Sequence, residues 1–171
     1  MAVLRFAGIA SRTIGKYFAT APALTDGDYE DLRLDSAGRV VVSPELVISQ
    51  VTLHASAAKT ATFNGADFTN EGRRGIKLFL DITVKAGTSP TLNIKLQAKD
   101  ALSAKYFDLP GAAFAEKTTV TTAQLIVYPG VAETANESVS DVLPTTYRFV
   151  ATIGGSAGQS FTFSLGAELL P

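Results

Sequence analysis

The run Ile76-Lys77-Leu78-Phe79-Leu80-Asp81-Ile82-Thr83-Val84 places an aliphatic side chain at every second position. Successive side chains of an extended strand point to opposite faces, so Ile76, Leu78, Leu80, Ile82 and Val84 share one side. Lys77, Asp81, Thr83 and Lys85 take the other, with Phe79 interrupting their polarity. A helical period would scatter these aliphatics around its circumference. The stretch is therefore a strand with one face in water and one in a core.

Working outward, Leu92, Ile94, Leu96 and Ala98 alternate with Asn93, Lys95, Gln97 and Lys99. Between the two runs lies Ala86-Gly87-Thr88-Ser89-Pro90, whose Gly and Pro mark a turn, so the pair is expected to form an antiparallel hairpin. The same alternation returns in Tyr147, Phe149, Ala151 and Ile153, and again in Phe161, Phe163, Leu165 and Ala167. Gly154-Gly155-Ser156-Ala157-Gly158 joins those two and is incompatible with helix. Further strands are expected at 47–55, 60–63, 106–109 and 118–128. About eight short strands with turns every ten or so residues predict an all-β chain. Its body should be an antiparallel β-sandwich of jelly-roll type.

Charge divides the chain. Residues 1–24 carry Arg5, Arg12 and Lys16 and no acid, whereas 25–44 hold Asp26, Asp28, Glu30, Asp31 and Asp35. From Ser43 onward 10 basic and 11 acidic residues are mixed evenly, as on a solvated globular surface. The expected organisation is an N-terminal arm (1–24), an acidic β-hairpin segment (25–44) and the sandwich (45–171). Within the middle segment, Leu32–Leu34 and Arg39–Val42 are the two arms. Asp35 and Gly38 shape the turn between them, and Pro44 ends the second run.

Composition excludes several classes of function. With 171 residues, 15 bases and 16 acids the net charge is −1, which argues against a general nucleic-acid binder or a polybasic membrane module. Cysteine is absent, so thiolate metal sites, thiol nucleophiles and disulfides are ruled out. Arg12 and Lys16 interrupt the N-terminal apolar stretch that a signal peptide would need. An organelle transit peptide fits the composition of that stretch less simply than an arm does. No window reaches about 18 apolar residues, the length of a membrane helix.

The search for chemistry is mostly negative. His54 is the only histidine and lies in an expected strand, where a structural role outweighs a catalytic one. Asp26-Gly27-Asp28-Tyr29-Glu30 imitates the start of a calcium loop, but Asp31 and Ala37 occupy the places that need Gly and Glu. Gly72-Arg73-Arg74-Gly75 lacks the Lys-Ser/Thr ending of a phosphate loop. Arg73 and Arg74 are expected at a turn, where they could meet an acidic neighbour at a subunit contact. Lys77, Lys85, Lys95 and Lys99 are expected to line one exposed sheet face. No catalytic residue, cofactor or metal set is expected, and the chain is read as a non-enzyme.

Two stretches carry recognisable motifs. The first is Leu24-Thr25-Asp26-Gly27-Asp28 followed by Leu32-Arg33-Leu34-Asp35-Ser36-Ala37-Gly38-Arg39-Val40-Val41-Val42. The second covers about 62–169. It begins with Phe63-Asn64-Gly65-Ala66-Asp67, Arg74-Gly75, Gly87–Leu92 and Lys105-Tyr106-Phe107-Asp108-Leu109. Tyr128-Pro129-Gly130, Asp141–Pro144, Tyr147-Arg148 and Ser160–Ala167 follow. The first stretch resembles a segment near the start of tailed-bacteriophage structural proteins, and the order of the second is similar to small phage virion proteins, several of which act as head decoration (cement) proteins.

That resemblance implies a bacteriophage capsid decoration protein on the virion surface, stabilising capsomer junctions. The major capsid protein is its implied partner, with neither nucleic acid nor membrane. A homo-oligomer is expected, foremost a trimer. Arm residues Val3, Leu4, Phe6, Ile9 and Ile14 would be apolar anchors, and Arg5, Arg12 and Lys16 would pair with acidic capsid surface. The alternative is a tail- or fibre-associated sandwich binding a cell-surface glycan, for which Tyr17, Tyr29 and Tyr106 would have to supply the aromatic platform.

Overall fold

The computed structural model describes residues 48–70 and 72–171. The arm, the acidic hairpin segment and the first resembling stretch lie outside the described residues. Within them there are ten strands and no helix. These are β1 (Ser49–Lys59), β2 (Phe63–Asn64), β3 (Phe68–Thr69), β4 (Gly75–Thr88) and β5 (Thr91–Lys99), then β6 (Tyr106–Ala113), β7 (Thr121–Val127), β8 (Ser138–Val139), β9 (Thr146–Gly154) and β10 (Ala157–Leu170). Sheet one has the order β1-β10-β4-β7-β8; sheet two has β2-β9-β5-β6, with β3 also on β9. The chain is all-β and folds as a β-sandwich. All pairings between these strands are antiparallel except β7 with the two-residue β8.

Strands 76–84 and 92–98 do not form the expected hairpin. β4 lies in sheet one between β10 and β7, and β5 lies in sheet two between β9 and β6. The Gly87–Pro90 turn is a corner that carries the chain from one sheet to the other. A second corner, Gly154–Ala157, runs beside it: Thr88 pairs with Ala157 before the bend and Thr91 with Gly154 after it.

The register passes through this bend intact. Leu80 pairs with Leu165, and fourteen residues on along one chain and back along the other, Ile94 pairs with Ala151. Two irregularities between these points, at Thr162/Phe163 and Ala157/Ser160, therefore offset one another. β4–β5 and β9–β10 are thus one two-stranded ribbon folded over on itself, and its two halves supply the central strands of the two sheets.

Gly87 has a backbone reason to be glycine. Its φ is +99°, and a Cβ there would stand 2.6 Å from Gln159 Cα and 2.8 Å from the Ala157 carbonyl oxygen. Only a residue without a side chain allows the two chains to approach so closely at the bend.

The core lies between the inward rows. Ile76, Leu78, Leu80, Ile82, Phe161, Phe163 and Leu165 come from sheet one; Leu92, Ile94, Leu96, Tyr147, Phe149 and Ile153 come from sheet two; all are buried. Val84, expected in this row, is 52% exposed. It lies past the Thr162/Phe163 irregularity, where β4 runs out beyond the rim toward the corner. No buried residue of the described chain is polar apart from Tyr147, so hydrophobic burial is what holds the layers together.

Candidate interaction surface

Arg73 and Arg74 sit where the sequence puts them, at the turn leading into β4. The Asn70 amide donates to the carbonyls of Arg73 (2.7 Å) and Leu143 (3.0 Å), and its oxygen accepts from Arg73 N–H (2.8 Å). Arg73 Nη2 donates to Ser49 Oγ at 3.2 Å, and its side chain is half-buried. Arg74 is exposed, with its guanidinium 5.6 Å from the centre of the Tyr128 ring. The other interaction candidates, Val3, Leu4, Arg5, Phe6, Ile9, Arg12, Ile14 and Lys16, lie outside the described residues.

The four lysines expected on one face are divided between the sheets. Lys77 (5.1 Å from the Phe79 ring centre) and Lys85 (donating to the Thr118 carbonyl at 2.9 Å) belong to sheet one. Lys95 and Lys99 belong to sheet two. The cause is the corner: with β4 and β5 in different layers, alternation within each strand no longer places their polar sides together.

On the outer face of sheet two, Lys95 and Lys99 enter a network that spans its strands. Lys95 Nζ meets Asp108 Oδ2 at 2.6 Å, and Gln97 Nε2 donates to Asp108 Oδ1 at 2.7 Å. Arg148 Nε donates to Gln97 Oε1 at 2.9 Å, and its guanidinium carbon stands 3.3 Å from the centre of the Tyr106 ring. The Tyr106 hydroxyl lies 2.8 and 3.0 Å from the two oxygens of Asp67, whose Oδ2 also meets Lys99 Nζ at 2.6 Å.

The electrostatics follow from these contacts. The Lys99 ammonium first and the Tyr106 hydroxyl second hold Asp67 below its usual value. Asp67 in turn raises Lys99, and the bonds from Lys95 and Gln97 lower Asp108. Asp67, Lys99, Gln97 and Arg148 were not expected to act together. Tyr106 and Arg148 are 42 positions apart, and only the strand order brings them into contact. Tyr106, a proposed glycan platform, is covered by Arg148 and so offers no open ring face on that side.

On the outer face of sheet one stands Phe79, 37% exposed. It pairs across the strands with Gly166 and Gln124, and Gly166 leaves the space above it open. Open hollows of about 420 and 500 Å³ flank the ring. One is lined by Asp81, Thr122 and Gln124, the other by Gln50, Thr52 and Glu168.

His54 occupies neither surface. Its ring packs 4.8 Å from Phe163, 5.3 Å from Phe63 and 6.0 Å from Phe149, centre to centre. Burial, and secondarily Lys59, pushes its pKa below the usual 6.5. The core tyrosine Tyr147 is desolvated so strongly that its phenol is pushed up to about 12. Among the described residues no cluster of three or more His, Asp or Glu side chains could hold a metal.

No family model matches the chain, and no curated protein matches it. Among solved structures it is similar to a chain of infectious bursal disease virus, Gx strain, with 12% identity and a TM-score of 0.44, over 88% of this chain and 37% of that one. A chain of the Gt strain gives 14%, 0.41, 88% and 38%. The protein thus spans less than two-fifths of the length of either. Likeness at this level assigns no role.

Proposed function

We propose that the chain is a structural component of a bacteriophage virion, and within that class a decoration protein that binds the outside of the head and stabilises capsomer junctions. One observation carries the reading. The motif residues that resemble virion proteins, scattered from 63 to 167 in the sequence, contact one another in the fold. Asp67, Tyr106, Asp108 and Arg148 belong to one network. A Cβ on Gly75 would stand 2.6 Å from Tyr128 Cδ2, so those two motifs pack directly on each other. Leu143 N–H donates to the Arg74 carbonyl at 3.0 Å. A pattern whose members support each other in space is a fold-bearing pattern, and this favours kinship over coincidence.

The role needs no catalysis. A sandwich with a packed core adds contact area at a junction through what its surfaces touch. The major capsid protein is the partner, a symmetric trimer the assembly, residues 1–24 the reach onto a neighbour, and exposed Arg74 the cation that meets acidic capsid surface. Purified protein mixed with undecorated heads is expected to co-sediment with them, and less so without residues 1–24. Failure of the full chain to co-sediment counts against the reading.

A further inference from the structure

β1 is the edge strand of sheet one, bonded to β10 alone among the described strands. Its ladder is broken twice. Ten steps along β1, from Ser49 to Lys59, match eight along β10, from Leu169 to Phe161, so β1 carries two extra residues. One irregularity falls between Thr52 and His54 and the other between His54 and Ala57. His54 with Leu165 is therefore the single rung between two bulges, and bulges disrupt the ladder where they fall.

Side chains hold this strand as thinly. Leu53 is its one buried residue, and Ala55, Ser56 and Ala58 are exposed. Leu53 and His54 are adjacent, yet both reach the core, which regular alternation forbids and the first bulge permits.

The His54 ring fills its place with one polar atom out of keeping. Its Nε2 is shut off from solvent and has no hydrogen-bond partner among the described residues. Phe63, Phe149 and Phe163 surround the ring. A neutral imidazole can leave Nε2 without a proton, but the charged ring carries N–H on both nitrogens. Protonation thus adds a donor and a charge where no oxygen or nitrogen accepts them.

The surrounding charges offer no relief. Lys59, at the end of the same strand, has its ammonium 4.9 Å from the Phe63 ring centre and disfavours a second cation at His54. β2 has no titratable residue. On β9, Tyr147 faces the core and keeps its proton up to about pH 12, while Arg148 is on the outer face with Gln97 and Tyr106. The one charged residue of β10, Glu168, lies on the outer face of sheet one opposite Gln50.

We propose that His54 is an acid-released latch: its protonation opens the middle of β1 away from β10 while the rest of both sheets stays closed. The neutral ring completes the core under the sheet edge, and the charged ring reaches water by lifting the strand. The strand that opens directly follows residues 1–47, so acid loosens the segment that attaches them to the sandwich. The latch is independent of the decoration reading.

The test is amide hydrogen exchange of the full chain, read by mass spectrometry from pH 8 to pH 5 and corrected for the intrinsic pH dependence of exchange. Peptides within 50–58 report β1, and peptides within 76–82 report β4 at the centre of the same sheet. Protection in β1 is expected to be flat above pH 6.5, the ordinary histidine value. Below it, protection is expected to fall at least about threefold by pH 5, at no more than about tenfold per pH unit for one proton. Protection in β4 is expected to hold within about twofold. His54→Phe and His54→Gln, neutral throughout, are expected to stay flat in β1. Flat protection in the wild type overturns the latch, and this arm requires no variant to fold. A fall that persists in either folded variant overturns it by assigning the proton elsewhere. An equal fall in β4 overturns it as well, because the whole sandwich is then loosening.

Discussion

The Arg148 guanidinium covers the Tyr106 ring at 3.3 Å, although β9 and β6 are separated by β5. Tyr106 leans across its neighbour strand and is pinned at its hydroxyl by Asp67. The network joins one edge of sheet two to the other. An arginine over an aromatic ring is worth about 0.5–2 kcal/mol, according to how far it is desolvated. A double-mutant cycle of Arg148→Ala and Tyr106→Leu in urea unfolding is expected to show coupling in that range. Coupling near zero means the contact is incidental.

Acid sensitivity should come from Asp67, Asp100 and Asp108. Each is held below its usual 3.8 in the fold, Asp67 first by Lys99, Asp100 first by the Ser103 hydroxyl and Asp108 first by Lys95. The folded state therefore holds these protons less tightly than the unfolded state does. Their stabilisation is complete above the unfolded value and is lost as pH falls through the folded ones. Urea midpoints are expected to decline below about pH 4, and Asp67→Asn with Asp108→Asn to decline less steeply. An unchanged slope in the double variant would show that Asp67 and Asp108 contribute nothing.

His54 acts in a higher window with the same sign. Its folded pKa lies below 6.5, so stability is full above that value and falls as pH drops toward the folded pKa. Replacing His54 with Phe, among rings already packed there, is expected to remove the part of the decline that begins just below pH 6.5. A midpoint that still falls in that window would assign the effect elsewhere.

Alternation is tested by two phenylalanines. Phe163 is fully buried and Phe79 is 37% exposed. Phe163→Ala is expected to cost about 3–5 kcal/mol and Phe79→Ala under about 1.5 kcal/mol in denaturant unfolding. Similar costs would mean that the faces are assigned wrongly.

At the folded ribbon, Gly87→Ala is expected to cost about 1–3 kcal/mol through positive φ and the crowded Gln159 backbone. Calorimetry against Gly72→Ala, also at positive φ but with no atom within 4 Å of its Cβ, isolates the crowding.

What could be read from residues alone was the long alternating strands and, Val84 apart, their buried faces; the two-residue β3 and β8 are too short to show a period and were not expected. Ile76, Leu78, Leu80 and Ile82 alternate because one side meets a core, and that periodicity is local. What could not be read was the partner of each strand. Gly87–Pro90 marks a reversal whether the chain pairs with itself or changes sheets, so a corner and a hairpin look alike. The same gap misplaced the lysines and hid the network: Asp67, Tyr106 and Arg148 each stand in a recognisable motif, but Phe68 must pair with Tyr147 before they meet. Arg73 and Arg74 were legible as a turn because glycines bracket them.

In the proposed role the sandwich stabilises a shell by contact. The most direct measurement is the temperature at which heads rupture, followed with and without saturating protein. The rupture temperature is expected to be higher with the full chain, rising with occupancy and reaching a plateau. Saturating binding that leaves the rupture temperature unchanged would contradict it.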